Sequence, residues 1–185
     1  MDTIQSSTRT QWSLDPSHSQ IGFKVKHLMV TNIKGVFNEY NGNIYTAGDD
    51  FMEAEIDLSI QAASISTGDA NRDNHLRSPD FLDAEQFSKI HFRGNVLERI
   101  NVYDYLLQGD LSIKEVTKNI QLDVEFNGIA KDPWGGKRAG FVITGKINRK
   151  DFGLTWNAVL EGGGVMVGDE VTIICEIQLI QQPEA

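Results

Sequence analysis

Apolar residues recur at every second position through most of this chain, and this constrains the fold more than any other feature. Met52, Ala54, Ile56, Leu58 and Ile60 alternate with Glu53, Glu55, Asp57 and Ser59. A strand sends successive side chains to opposite faces, so such a segment has one dry face and one wet face. The same pattern sets Ile21, Phe23 and Val25 against Lys24 and Lys26, and Ile120, Leu122, Val124 and Phe126 against Gln121, Asp123 and Glu125. Ile90 and Phe92 alternate with Lys89, His91 and Arg93, and stretches 103–113, 141–147 and 171–179 continue the series. Many half-buried strands separated by turn signals predict an all-β sandwich or barrel. Pro133-Trp134-Gly135-Gly136 reads as a hairpin connection, and Gly162-Gly163-Gly164 as a flexible stretch before the last strand.

One region breaks the pattern. Residues 70–77 follow Asp69, which can cap a short helix, and Ser78-Pro79 reads as a second cap with proline in the first helical position. The expectation is one or two short helices crossing one end of the β structure, with Phe81, Leu82 and Phe87 closing that end.

With 185 residues the chain can bury a full core, and its single cysteine excludes an internal disulfide. No linker or repeat divides it, so residues 11–182 read as one domain behind a flexible tail over residues 1–10. A formal net charge of -9 argues against nucleic-acid partners and against docking on anionic lipid. No apolar run is long enough to span a bilayer as a helix. The first residues show no basic segment leading into an apolar one, so as it stands the sequence reads as cytoplasmic; trimming of a leader would make the protein periplasmic.

The ordered motifs resemble the YceI-like family of lipocalin-like, polyisoprenoid-binding proteins. They start with Trp12-Ser13-Leu14-Asp15 and His18-Ser19. Gly35, Phe37 and Gly42 follow, then Ser64-Ile65-Ser66-Thr67-Gly68, Arg72-Asp73, His75-Leu76 and Asp80-Phe81. Gly109-Asp110-Leu111-Ser112-Ile113, Arg149-Lys150-Asp151-Phe152-Gly153-Leu154 and Val167-Gly168-Asp169-Glu170-Val171 complete the series. Two positions depart from the family pattern: Ser88 replaces a proline, and Glu115 replaces a turn glycine, so either Glu115 adopts a strained φ > 0 or the turn takes a different geometry. The resemblance implies an eight-stranded antiparallel barrel with an elongated apolar interior, no cofactor, and a polyisoprenoid or isoprenoid-quinone ligand. It is also compatible with a homodimer.

Such a ligand needs no charged anchor. Burying a methylene contributes about 0.8 kcal/mol relative to water, so about fifteen give nanomolar affinity before ordering costs are subtracted. The candidate ligand-binding wall comprises Phe23, Val25, Phe37, Ile56, Leu58, Phe92, Leu111, Phe126, Phe141 and Trp156, with Leu76 and Phe81 closing the end. The competing reading is that these side chains fill a solid core.

Arg72, Asp73 and His75 invite a catalytic reading with His75 as general base, but no nucleophile accompanies them. Asp73 and Arg77 have the spacing of an exposed helical ion pair. The plainer expectation is a helix end tied to the barrel rim, with Arg72 or His75 touching a polar ligand head. The spacing of His18, His27, His75 and His91 does not suggest a zinc site, and Cys175 alternates with Ile173 and Ile177 as a small core residue. Ser19 beside His18 makes no triad, because neighbouring strand side chains diverge. The leading expectation is a lipid carrier, storage or sequestration protein rather than an enzyme. The alternatives are an enzyme acting on an isoprenoid-like substrate at the barrel mouth, and a stress-related barrel working through a protein partner.

Overall fold

The structure, a computed structural model, describes residues 9–184, the side chain of Leu97 excepted. The predicted tail therefore lies mostly outside the described residues; the first strand is already under way at Arg9. Eight strands follow one another around a ring: β1 (Arg9–Leu14 and Gln20–His27), β2 (Thr31–Phe37 and Tyr40–Ala47), β3 (Asp50–Gln61 and Ile65–Ser66), β4 (Lys89–Arg99), β5 (Asp104–Ile113), β6 (Val116–Lys131), β7 (Lys137–Asn148) and β8 (Val167–Gln181). Each pairs antiparallel with its neighbours in sequence, and β8 returns to β1, with Trp12 opposite Gln181 and Ile173 opposite Phe23. Closure satisfies the backbone groups that an open edge would leave exposed.

Three neighbouring strands are interrupted at the same level. A 3-10 turn at Pro16–His18 breaks β1, Asn38 and Glu39 break β2, and a second 3-10 turn at Ala62–Ser64 breaks β3. The broken ladder is restitched by Asn38 N–H to Ser64 O, Gln61 N–H to Glu39 O, and the Tyr40 hydroxyl to Ser19 O at 2.7 Å.

Inside this crease Asp15 accepts hydrogen bonds from Ser17, from His18 Nδ1 at 2.8 Å and from Arg138 of β7 at 2.7 Å. Burial opposes the charge of Asp15, but the bonds from Ser17, His18 and Arg138 outweigh it and hold the carboxyl at about 2. The depressed pKa means that its stabilisation, about 2 kcal/mol, is full above the ordinary carboxylate range and is lost as pH falls toward 2. Asp15→Asn is expected to be less stable than the parent at pH 7 and to match it near pH 2, read by urea unfolding across that range. A constant difference at all pH values would show that the charge plays no part.

Helix α1 (Ala70–Arg77) leaves β3 toward β4, and Asp69 caps it by accepting from Arg72 N–H at 2.9 Å. No second helix forms at Ser78-Pro79. Residues 78–87 make consecutive turns instead, with Leu82 N–H bonded to Leu76 O and Phe87 N–H to Asp83 O. At the Ser88 departure, the carbonyl accepts from Ala62 N–H at 2.9 Å. The β5–β6 turn takes the second of the two expected forms: the left-handed residue is Lys114, φ 56°, and not Glu115.

Candidate functional site: an apolar lumen

The inward faces of the eight strands enclose a cavity of about 290 Å³. That is space for about ten water-sized groups. Its lining is almost wholly apolar. Phe23 and Val25 reach it from β1, Phe37 from β2, and Ile56 and Leu58 from β3. Phe92, Leu111 and Phe141 line it from β4, β5 and β7, and Leu76 and Phe81 from the α1 segment.

An eight-stranded barrel is narrow enough for side chains to fill. Glycines keep this one hollow. Gly94 and Gly109 are paired across β4 and β5, and the tip of the Phe92 ring reaches over both. A methyl group at either would stand 2.8 or 2.6 Å from that ring. Phe23 lies over Gly35 in the same way, so these rings line the wall rather than cross the axis.

Two of the predicted wall residues lie elsewhere. Phe126 is outside the lining and packs against Phe51, Phe141 and Tyr105, with centroids 5.6, 5.1 and 6.3 Å away. Together with Trp12, which is fully buried and donates to Thr46 Oγ1 at 2.8 Å, these rings form an aromatic floor at one end. Trp156 sits at the opposite end and packs on His75 and Phe81, 4.6 and 5.4 Å away. The strand pattern of β3 is also corrected. Glu53 has φ 62°, and the ladder slips beside it, so Phe51 points inward and Met52 does not line the lumen. Between the pairs Tyr45–Glu55 and Ala47–Asp50 β3 carries three extra residues, an odd number that swaps the faces on either side.

The polar residues near α1 hold the segment in place. Asp73 is buried and does not pair with Arg77; it accepts from the backbone N–H of Thr67 at 2.8 Å and from its hydroxyl. Arg72 donates to Thr67 Oγ1 and O, and Arg77 to Ala63 O and Ile65 O. His75 Nε2 lies 2.9 Å from Asp80 Oδ2. Neither Arg72 nor His75 is among the lining residues.

Arg149, for which sequence reasoning assigned no role, is the charged side chain in the lining. It is 3% exposed and donates to Gly168 O, Leu154 O, Trp156 O and Val167 O, with Asp169 Oδ1 3.8 Å away. These partners occupy the guanidinium and pin the connection between β7 and β8. Burial lowers its pKa, and Asp169 partly opposes that shift. Cys175 also lines the lumen; burial pushes its thiol up to about 11, so it stays protonated and unreactive. Among the described residues no cluster of His, Cys, Asp or Glu is arranged to hold a metal, and no helix is long and apolar enough to cross a membrane.

Residues 12–179 match the YceI-like domain. The chain belongs to the YceI-like family. A UPF0312 protein of Staphylococcus aureus is 39% identical over 163 residues, covering 88% of this chain and 92% of that one. The crystal structure of the Campylobacter jejuni YceI protein superposes with a TM-score of 0.70 at 34% identity, covering 92% of this chain and 97% of that one. A polyisoprenoid binding domain from Saccharophagus degradans shares the fold at 19% identity, with a TM-score of 0.66 over 91% of this chain and 97% of that one. The YceI-like barrel seen here is thus an eight-stranded family fold, hollowed by glycines, floored by aromatic rings and free of uncommitted charge in its lining.

Proposed function

We propose that this YceI-like barrel is a binding protein that holds one long, uncharged lipid, a polyisoprenoid chain or the tail of an isoprenoid quinone, for transport, storage or sequestration. The observation that carries this reading is the apolar lumen, whose one charged side chain has four of its five N–H donors committed to backbone carbonyls and Asp169 3.8 Å from its Nη2. A carboxylate or phosphate placed there would lose hydration without gaining a partner, whereas a hydrocarbon chain gains with every methylene buried. The name of the structural neighbour from Saccharophagus degradans points to the same ligand class. Binding rather than catalysis is favoured because His75 is engaged with Asp80 and edged by two rings, with no nucleophile bonded to it.

Native mass spectrometry of the purified protein, with solvent extraction of the same sample, tests the proposal. The expected result is a mass increment that extraction removes and identifies as an uncharged long-chain lipid. Protein free of lipid that also fails to bind quinone analogues would refute it.

A further inference from the structure

The turn between β1 and β2 is built from the wrong residues for its shape. Val30 N–H bonds to His27 O at 3.2 Å, and the two residues between, Leu28 and Met29, have φ of 53° and 60°. Two consecutive left-handed residues define a type I′ turn, which asparagine and glycine favour and large apolar side chains do not. Exposure adds a second cost: Leu28 is 39%, Met29 60% and Val30 78% exposed. Strain kept at an exposed position suggests a use for the side chains. The turn lies against the β7–β8 connection, where Leu28 N–H bonds to Met166 O at 2.8 Å and Val159 adds another exposed apolar side chain.

The outer wall below this tip is also unfavourable for an isolated protein. Lys24 and Lys34 are directly opposed on β1 and β2, where like charges repel. Lys26 lies one step nearer the turn, on the same outward face. None of the three has an ion-pair partner among the described residues, while Lys146 and Lys150 on the adjoining wall are paired with Glu170 and Asp169. A chain of net charge -9 therefore carries three lysines without ion pairs beneath an apolar point, with Asp169 and Glu170 on the neighbouring strand β8. At physiological salt, charges more than about 8 Å away are largely screened, so the patch governs close contact despite the acidic whole.

We infer that the β1–β2 turn is a membrane-docking tip: Leu28, Met29 and Val30 enter the bilayer surface while Lys24, Lys26 and Lys34 bind anionic head groups. This runs against the expectation, drawn from net charge alone, that anionic lipid is disfavoured, and vesicle binding decides between the two. The position serves loading. Val25 and Val167, immediately below the turn, line the lumen at the end away from the aromatic floor. The use of the docking site, though not its existence, rests on the lipid-binding reading above.

Cosedimentation with phosphatidylcholine vesicles, with and without a third phosphatidylglycerol, tests the inference on the full chain. The parent is expected to sediment with the anionic vesicles and to be released by salt. Lys24→Gln with Lys34→Gln should weaken binding about 25-fold, at about fivefold per lysine. Leu28→Asn with Met29→Gly replaces the strained turn by the favoured one. That variant should lose vesicle binding by at least about tenfold while its Tm rises by about 3 °C. A purely structural role for the turn predicts no loss of binding from the more stable variant. Failure of the parent to bind any vesicle, undiminished binding by the turn variant, or turn-dependent self-association in place of vesicle binding would overturn the inference. Lipid extracted from each protein before mixing separates the two readings: vesicle binding without bound lipid sinks the cavity proposal alone, and bound lipid without vesicle binding sinks the docking proposal alone.

Discussion

Ile56→Trp combined with Ile143→Trp is expected to abolish lipid retention while the barrel stays folded. Ile56 on β3 and Ile143 on β7 both line the lumen, and their strands stand four places apart on an eight-strand ring, on opposite walls. The pair adds about twelve heavy atoms to a space that holds about ten water-sized groups. Excluding about five methylenes of ligand costs about 4 kcal/mol, a thousandfold in Kd. Overpacking costs stability, about 1–3 kcal/mol, because neighbouring side chains must shift. The closed ladder and the aromatic floor are left in place, so circular dichroism and the unfolding transition should show a folded barrel. Native mass spectrometry should then show a bare chain. Normal lipid occupancy in the double variant would place the ligand outside the lumen.

Arg149→Met is expected to give the largest loss of stability of any single charge removal. The substitution keeps length and apolar bulk but leaves the part-buried carbonyls of Leu154, Trp156 and Gly168 without this donor, while Val167 O keeps Asn157 Nδ2 at 2.8 Å. Hydrogen bonds to a charged group contribute about 1.5–3 kcal/mol each, and orphaned buried acceptors add their desolvation cost. Some of the carbonyls will recover water as the connection opens, so a net loss of about 4 kcal/mol is expected, a Tm lower by about 10 °C. Arg149→Lys should recover little, because an ammonium is a compact charge and cannot span the acceptors that a planar fork reaches. A Tm unchanged within a degree or two in Arg149→Met would show that the carbonyls find other partners.

The strands were legible because one wet face and one dry face leave a period of two, and Ile21-Phe23-Val25 and Ile120-Leu122-Val124 both line the lumen as that period requires. The period fails where the backbone inserts an odd number of residues. Alternation in sequence runs unbroken through Met52, yet the bulge at Glu53 puts Phe51 on the inner face, and no residue type announces it because the left-handed position is a glutamate, not a glycine. Phe126 keeps its parity but lies behind Phe141 in the floor, a matter of depth along the axis that periodicity does not encode. Asp73 and Arg77 have helical pair spacing, but each finds a better partner outside the helix: Thr67 for the carboxylate, and the carbonyls of Ala63 and Ile65 for the guanidinium. The role of Arg149 was hidden for the same reason. Its partners are main-chain oxygens, which every residue carries and which leave no signature in the side-chain order.

The aromatic floor has one more consequence. On the proposed lipid-binding reading, a chain entering the lumen would meet these rings tip-first, so the distance from Trp12 and its neighbouring rings to the far rim would work as a ruler. A tail shorter than that distance leaves dead space behind it, and a longer one stands proud of the rim with its surplus carbons still exposed. Selection among homologous tails then falls on their length.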